Sequence, residues 1–105
     1  MTMGLFQKEI KKIVKQIKTK YQPEKIILYG SAAKGKVNKN SDIDLLIIKK
    51  TERRFVDRIS DVLKLCDYDI PLEPIVNTPK EIEKRIKLGD FFVIDILKKR
   101  KVLYG

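Results

Sequence analysis

Apolar side chains at Leu5, Phe6, Ile10, Ile13, Val14, Ile17 and Tyr21 recur at three- and four-residue steps, with Lys8, Lys11, Lys12, Lys15 and Lys18 between them. That spacing gathers the apolar groups on one stripe and predicts an amphipathic helix. It should end near Gln22, because Pro23 disfavours helical geometry in the residue before it. Met1 to Gly4 reads as a short lead-in. Ile26, Ile27, Leu28 and Tyr29 then form an apolar, β-prone run that stops at Gly30, as expected of a buried strand. Ser31 follows as the expected N-cap of a short helix through Ala32, Ala33 and Lys34. After a polar loop from Gly35 to Asn40, the segment Asp42 to Ile48 carries the strongest strand pattern in the chain.

The second half repeats this alternation. Phe55, Val56, Ile59, Val62, Leu63 and Cys66 fall at helical spacing, with charges between them. Ile70 to Val76 is a third apolar segment, but Pro71 and Pro74 cannot donate ladder hydrogen bonds, which predicts an edge strand. Thr78-Pro79-Lys80-Glu81 has the form of a capping box with proline at the first helical position, so a helix is expected from Pro79 to about Leu88. Asp90 is placed to cap a last helix with Phe92, Val93, Ile96 and Leu97 on its buried side. Val102 to Tyr104 reads as a short final strand. The order of elements predicts an α/β (α+β) fold in which a small mixed sheet packs against helices.

Composition narrows what such a fold can do. A chain of 105 residues supports one core, so residues 1–105 are expected to form a single domain, with any partner domain supplied by another chain. The sequence contains no histidine, which removes Ser-His-Asp hydrolysis, His-Cys zinc sites and imidazole acid–base catalysis. One cysteine, Cys66, cannot form an internal disulfide; it lies on an apolar stripe and reads as a core residue. No apolar run is long enough to span a membrane, and no charged-then-apolar leader is present, so the expected location is the cytoplasm. The 24 Lys and Arg against 14 Asp and Glu leave a net charge of +10, a field that attracts polyphosphates, RNA or acidic proteins.

Chemistry is concentrated in two short segments. Gly30-Ser31 stands at a strand-to-helix junction, where free backbone N–H groups favour a phosphate and glycine permits close approach. Asp42-Ile43-Asp44 opens the following strand, and alternation puts both carboxylates on one face with Cα atoms roughly 7 Å apart. Two carboxylates this close, opening an otherwise apolar strand, are costly without a counter-ion. Mg²⁺ is the natural one, since it prefers oxygen ligands and keeps positions for water and substrate phosphate. A third carboxylate is expected from the third strand segment. Glu73 lies on the face opposite Ile70, Leu72 and Val76; Asp69 shares its parity and is the alternative.

The residues Gly30-Ser31-Ala32-Ala33-Lys34-Gly35 and Ser41-Asp42-Ile43-Asp44-Leu45-Leu46-Ile47, with ten residues between Ser31 and Asp42, resemble the signature of the minimal nucleotidyltransferases of the DNA polymerase beta-like superfamily. The resemblance extends over almost the whole chain and implies a polymerase beta palm-like fold. It further implies that Gly30, Ser31 and Lys34 hold the triphosphate of ATP, and that Asp42, Asp44 and Glu73 bind two Mg²⁺ ions and serve catalysis. In the family pattern arginine is usual where Lys34 stands, and aspartate is commoner than Glu73 as the third acid. The implied reaction moves a nucleoside monophosphate, AMP from ATP, to a hydroxyl acceptor. The implied partner is a separately encoded helical HEPN toxin, with this chain as its antitoxin.

Two other classes of function are compatible with the residues: a catalytically inactive nucleotide-binding or interaction module, and a basic RNA-binding protein. The second is disfavoured because the lysines are dispersed and no aromatic-plus-basic RNA motif is present. A homo-oligomer is compatible with all three readings.

Overall fold

The computed structural model describes residues 3–38 and 40–105. Helix α1 (Met3–Lys20) leads into strand β1 (Lys25–Tyr29) and a three-residue 3₁₀ turn (Ala32–Lys34). Strand β2 (Ile43–Ile48), helix α2 (Phe55–Leu65) and strand β3 (Leu72–Asn77) follow, then helices α3 (Pro79–Lys87) and α4 (Phe91–Lys98) and strand β4 (Lys101–Tyr104). The expected lead-in is already helical at Met3 and Gly4, while Met1 and Thr2 lie outside the described residues.

The four strands form one mixed sheet in the order β3-β2-β1-β4. β1 is antiparallel to both β2 and β4, whereas β2 and β3 run parallel. Parallel neighbours need a crossover, and α2 supplies it. β3 takes the edge position that its prolines predict, with Pro74 opposite Leu45 in the ladder.

Strand alternation divides the core between the two faces. On one face, Ile26, Leu28, Ile43, Leu45, Ile47, Leu72 and Val76 pack against Phe6, Ile13 and Ile17 of α1 and Val62 of α2. On the other, Ile27 and Leu46 meet Ile82 of α3 and Val93 and Ile96 of α4. The second cluster is smaller, so α3 and α4 cover less of their face. The fold is therefore a mixed sheet between two helical layers, as the sequence pattern predicts. Among the described residues no helix is long and apolar enough to cross a membrane.

Two helix starts follow the sequence rules closely. Thr78 Oγ1 accepts from the Glu81 N–H at 3.1 Å, and Glu81 Oε1 accepts from the Thr78 N–H at 2.7 Å, which closes the capping box. Asp90 Oδ1 accepts from the Val93 N–H at 3.2 Å. α2 departs from expectation: Phe55 and Val56 are exposed, and the side chain buried beside Val62 is Arg58. Its guanidinium donates to the carbonyls of Arg53 and Val76 and pairs with Glu81, tying α2, β3 and α3 together. Helical spacing alone cannot reveal a buried arginine, because its partners come from distant segments.

Candidate functional site

Register across three strands builds the centre of the site. Tyr29 on β1 pairs with Asp44 on β2, and Asp44 pairs with Glu73 on β3, so the three residues form one row across the sheet. The row lies on the α3 and α4 face, opposite the core side chains Leu28, Leu45 and Leu72. Asp42 precedes β2 by one residue and stands two positions before Asp44. A turn sets its entry: Ser41 Oγ accepts from the Asn38 N–H at 2.7 Å, and the Ser41 N–H donates to the Asn38 carbonyl at 3.0 Å. Ser41, the first residue of the second motif, and Asn38, outside both motifs, support the site through this turn. Their signal is the Asn-x-Asn-Ser string, which favours a side-chain-closed turn.

Gly30 forms the wall next to Asp44. Its φ is 77°, in the left-handed region. A Cβ there would stand 2.5 Å from Asp44 Oδ2, so any other residue would force this carboxylate to shift. The following turn corrects the expectation of a capped helix. Ser31 has helical φ and ψ of −62° and −34°, and its side chain makes no capping hydrogen bond. The turn is three residues long and closes through Lys34 N–H to Ser31 O and Gly35 N–H to Ala32 O, both at 3.1 Å. So short an element has negligible macrodipole, and any hold on an anion rests on the backbone N–H groups that precede the closed bonds and on the exposed Ser31 and Lys34 side chains.

The acidic row is electrostatically strained. Burial, then a hydrogen bond with Glu73, then the charges of Glu73 and Asp42 push the Asp44 carboxyl up to about 6. Tyr29 is driven up to about 12 by burial and then by the charges of Asp44 and Glu73. Among the described residues, no cation is one of the groups that perturb Asp44. An all-oxygen donor set with excess negative charge and a cramped glycine wall suits a small, hard divalent ion. Among the described residues, no three Asp, Glu, Cys or His side chains gather closely enough to form a ready-made metal cage. Mg²⁺ needs none, since it binds through one or two carboxylates with water and substrate phosphate completing its shell. The residues present therefore fit a substrate-assisted magnesium site.

Asp69, the alternative third acid, lies elsewhere. It is exposed ahead of β3, where its carboxylate meets Lys12 at 3.0 Å and its N–H donates to buried Glu9 of α1. The parity that matched Asp69 to Glu73 holds only within a strand, and β3 starts at Leu72. Tyr29 closes the apolar run that predicts β1, which suggests a packing role alone. It does pack, edge-to-face with Phe92 of α4 at 5.8 Å between centroids, but its in-register position also makes it the immediate neighbour of the acidic pair.

Similarity to known proteins extends over the elements that build this row. Residues 10–103 match the family described as "Nucleotidyltransferase domain". A protein of Methanocaldococcus jannaschii named "Putative protein adenylyltransferase" is 34% identical over 100 residues, covering 93% of this chain and 97% of the relative. A crystal structure from Sulfolobus solfataricus, described as that of "a putative nucleotidyltransferase", superposes with a TM-score of 0.61 at 26% identity over 78% of this chain and 75% of the other. With the match extending from α1 to β4, the chain belongs to the nucleotidyltransferase domain family.

Proposed function

We propose that the chain is a Mg²⁺-dependent adenylyltransferase that moves AMP from ATP to a hydroxyl group on a protein acceptor and releases pyrophosphate. The observation that carries this reading is the row of Asp44 and Glu73 beside Gly30, with Asp42 at the strand entrance. Asp42, Asp44 and Glu73 would hold magnesium, which when bound supplies charge neutralisation for the triphosphate and activation of the acceptor oxygen. Gly30 lets the phosphates approach the backbone, and Ser31 and Lys34 contribute a hydroxyl and a cation to them. Glu73 stands at the open edge of the sheet and accepts the acceptor's proton. The acceptor oxygen forms a bond to the α-phosphorus as the bond to the bridging oxygen breaks, and the electron pair leaves with pyrophosphate.

A protein acceptor is favoured because a relative of nearly equal length carries a name specifying protein adenylylation. A separately encoded helical HEPN toxin is the acceptor implied by the family resemblance, with the chain acting as its antitoxin. The test is incubation of the chain with a HEPN protein of the same organism, α-labelled ATP and Mg²⁺. The expected result is label on the partner with a mass increase of one adenylate, abolished by EDTA and by Asp42→Asn. If Mg²⁺-dependent ATP binding occurs and no adduct forms, the chain is a nucleotide-binding module instead.

A further inference from the structure

Between the Gly30 turn and α4 lies a cavity of about 260 Å³. Its walls are Tyr29 and Gly30 at the end of β1, Ala33 and Lys34 of the turn, and Phe92 and Ile96 of α4. Unlike the grooves along α1 and β4 or beside Lys50 and Thr78, it is bounded by residues of the candidate site. Whole small-molecule ligands occupy about 300–1,000 Å³, so this cavity is sized for one part of a nucleotide.

Its chemistry says which part. Tyr29, Ala33, Phe92 and Ile96 are apolar or aromatic, and pressing a phosphate against them would strip its water without replacing the lost hydrogen bonds. A nucleobase gains from the same surface, because every base has a π-face that stacks on aromatic rings. Phe92 is well placed to receive one. It sits beside buried Val93 yet keeps 48% of its surface exposed, and its ring meets Tyr29 at 90°, an edge-to-face contact that leaves ring surface open. Polar side chains complete the lining: Lys34 on the turn, and Asp95 paired with Lys99 at 3.2 Å.

Gly30 is shared between this cavity and the acidic row, since it lines the one and touches Asp44 in the other. A molecule that fills both must have a flat apolar end and an anionic end joined by a short spacer. Resting on the nucleotidyl-transfer reading, we infer that the cavity between Phe92 and the Gly30 turn is the base pocket of the nucleotide, with Phe92 as its stacking platform and the phosphates passing over Gly30 to Asp42 and Asp44.

The test is calorimetric titration of the full chain, with Mg²⁺ present, using α,β-methylene-ATP and separately tripolyphosphate. Phe92→Ala is expected to weaken the nucleotide analogue about tenfold while tripolyphosphate stays within about twofold of the unaltered chain. Phe92→Leu keeps bulk without a π-face and should show most of that loss, whereas Phe92→Tyr should retain affinity. The Leu and Tyr pair decides the matter even if the alanine variant folds poorly. Equal weakening of both ligands would place phosphates in the cavity and overturn the inference, as would an analogue affinity indifferent to all three substitutions. An unaltered chain that binds neither ligand would instead remove the nucleotidyl-transfer reading and the pocket with it.

Discussion

Two half-exposed carboxylates on the same side of the sheet meet opposite fates. Glu81, in the first turn of α3, receives the Arg58 guanidinium at 2.7 Å and 3.3 Å and the Thr78 N–H, and its carboxyl is pulled down to about 2, chiefly by Arg58. Asp44, in β2, is pushed up to about 6 by burial and then by its neighbours Glu73 and Asp42. A carboxylate whose countercharge comes from the fold is part of the framework. One that the described residues leave without a countercharge is, on the proposed reading, the place for a cation from outside. In a chain with ten more positive than negative charges, that lack of compensation is selective placement and not shortage of lysine.

The comparison can be broken from either side. The largest change in stability is expected at the satisfied end. Arg58→Ala removes a side chain 7% exposed that bonds two backbone carbonyls and Glu81, and should cost about 3 kcal/mol in urea unfolding, at the low end for a broken buried pair because Glu81 remains partly solvated. Gly30→Ala should cost about 2 kcal/mol, combining the left-handed φ with the 2.5 Å approach to Asp44 Oδ2, and should weaken Mg²⁺-dependent ATP binding as well. A loss of stability with binding untouched would show that Asp44 yields freely.

Acid should dissolve the framework contact next. Because the folded value of Glu81 lies below its ordinary 4.5, its contribution is full above that pH and is lost as pH falls towards about 2. Thermal melts between pH 5 and 2 should lose about 1–2 kcal/mol from this group, after allowance for solvent around a carboxylate 40% exposed, and Glu81→Gln should flatten that part of the acid limb. The smallest effect is a gain. Asp44→Asn should stabilise the cation-free protein at neutral pH by about 1 kcal/mol, a discounted share of the rise to about 6 that burial and its acidic neighbours cause. A melting temperature lowered by this substitution would mean that Asp44 is structural.

Much of this arrangement is legible from local pattern. The prolines at 71 and 74 announce an edge strand, the capping box at Thr78 and Glu81 forms as written, and the Asp42 and Asp44 spacing puts two acids at one strand end. What local pattern cannot supply is register. The pairing of Tyr29, Asp44 and Glu73 depends on where three separate strands align, and the rejection of Asp69 depends on β3 beginning three residues later. The Ser31 turn failed as a helix because Gly35, at φ 75°, closes the chain after a single 3₁₀ turn. Arg58 was hidden for a further reason: a buried charge is tolerated only with its partners, and those come from the ends of β3 and α3.

The central claim is that the acidic row, and not the carboxylate held by Arg58, is the cation site. Titration of the chain with Mn²⁺ as an oxygen-seeking stand-in for Mg²⁺, followed by electron paramagnetic resonance in the presence of α,β-methylene-ATP, tests it directly. Loss of a direct ligand should cost at least what loss of an outer partner does, about 10–100-fold, so Asp44→Asn should weaken Mn²⁺ by that much while Glu81→Gln leaves it unchanged. Mn²⁺ bound equally well by the unaltered chain and by Asp44→Asn would contradict the account.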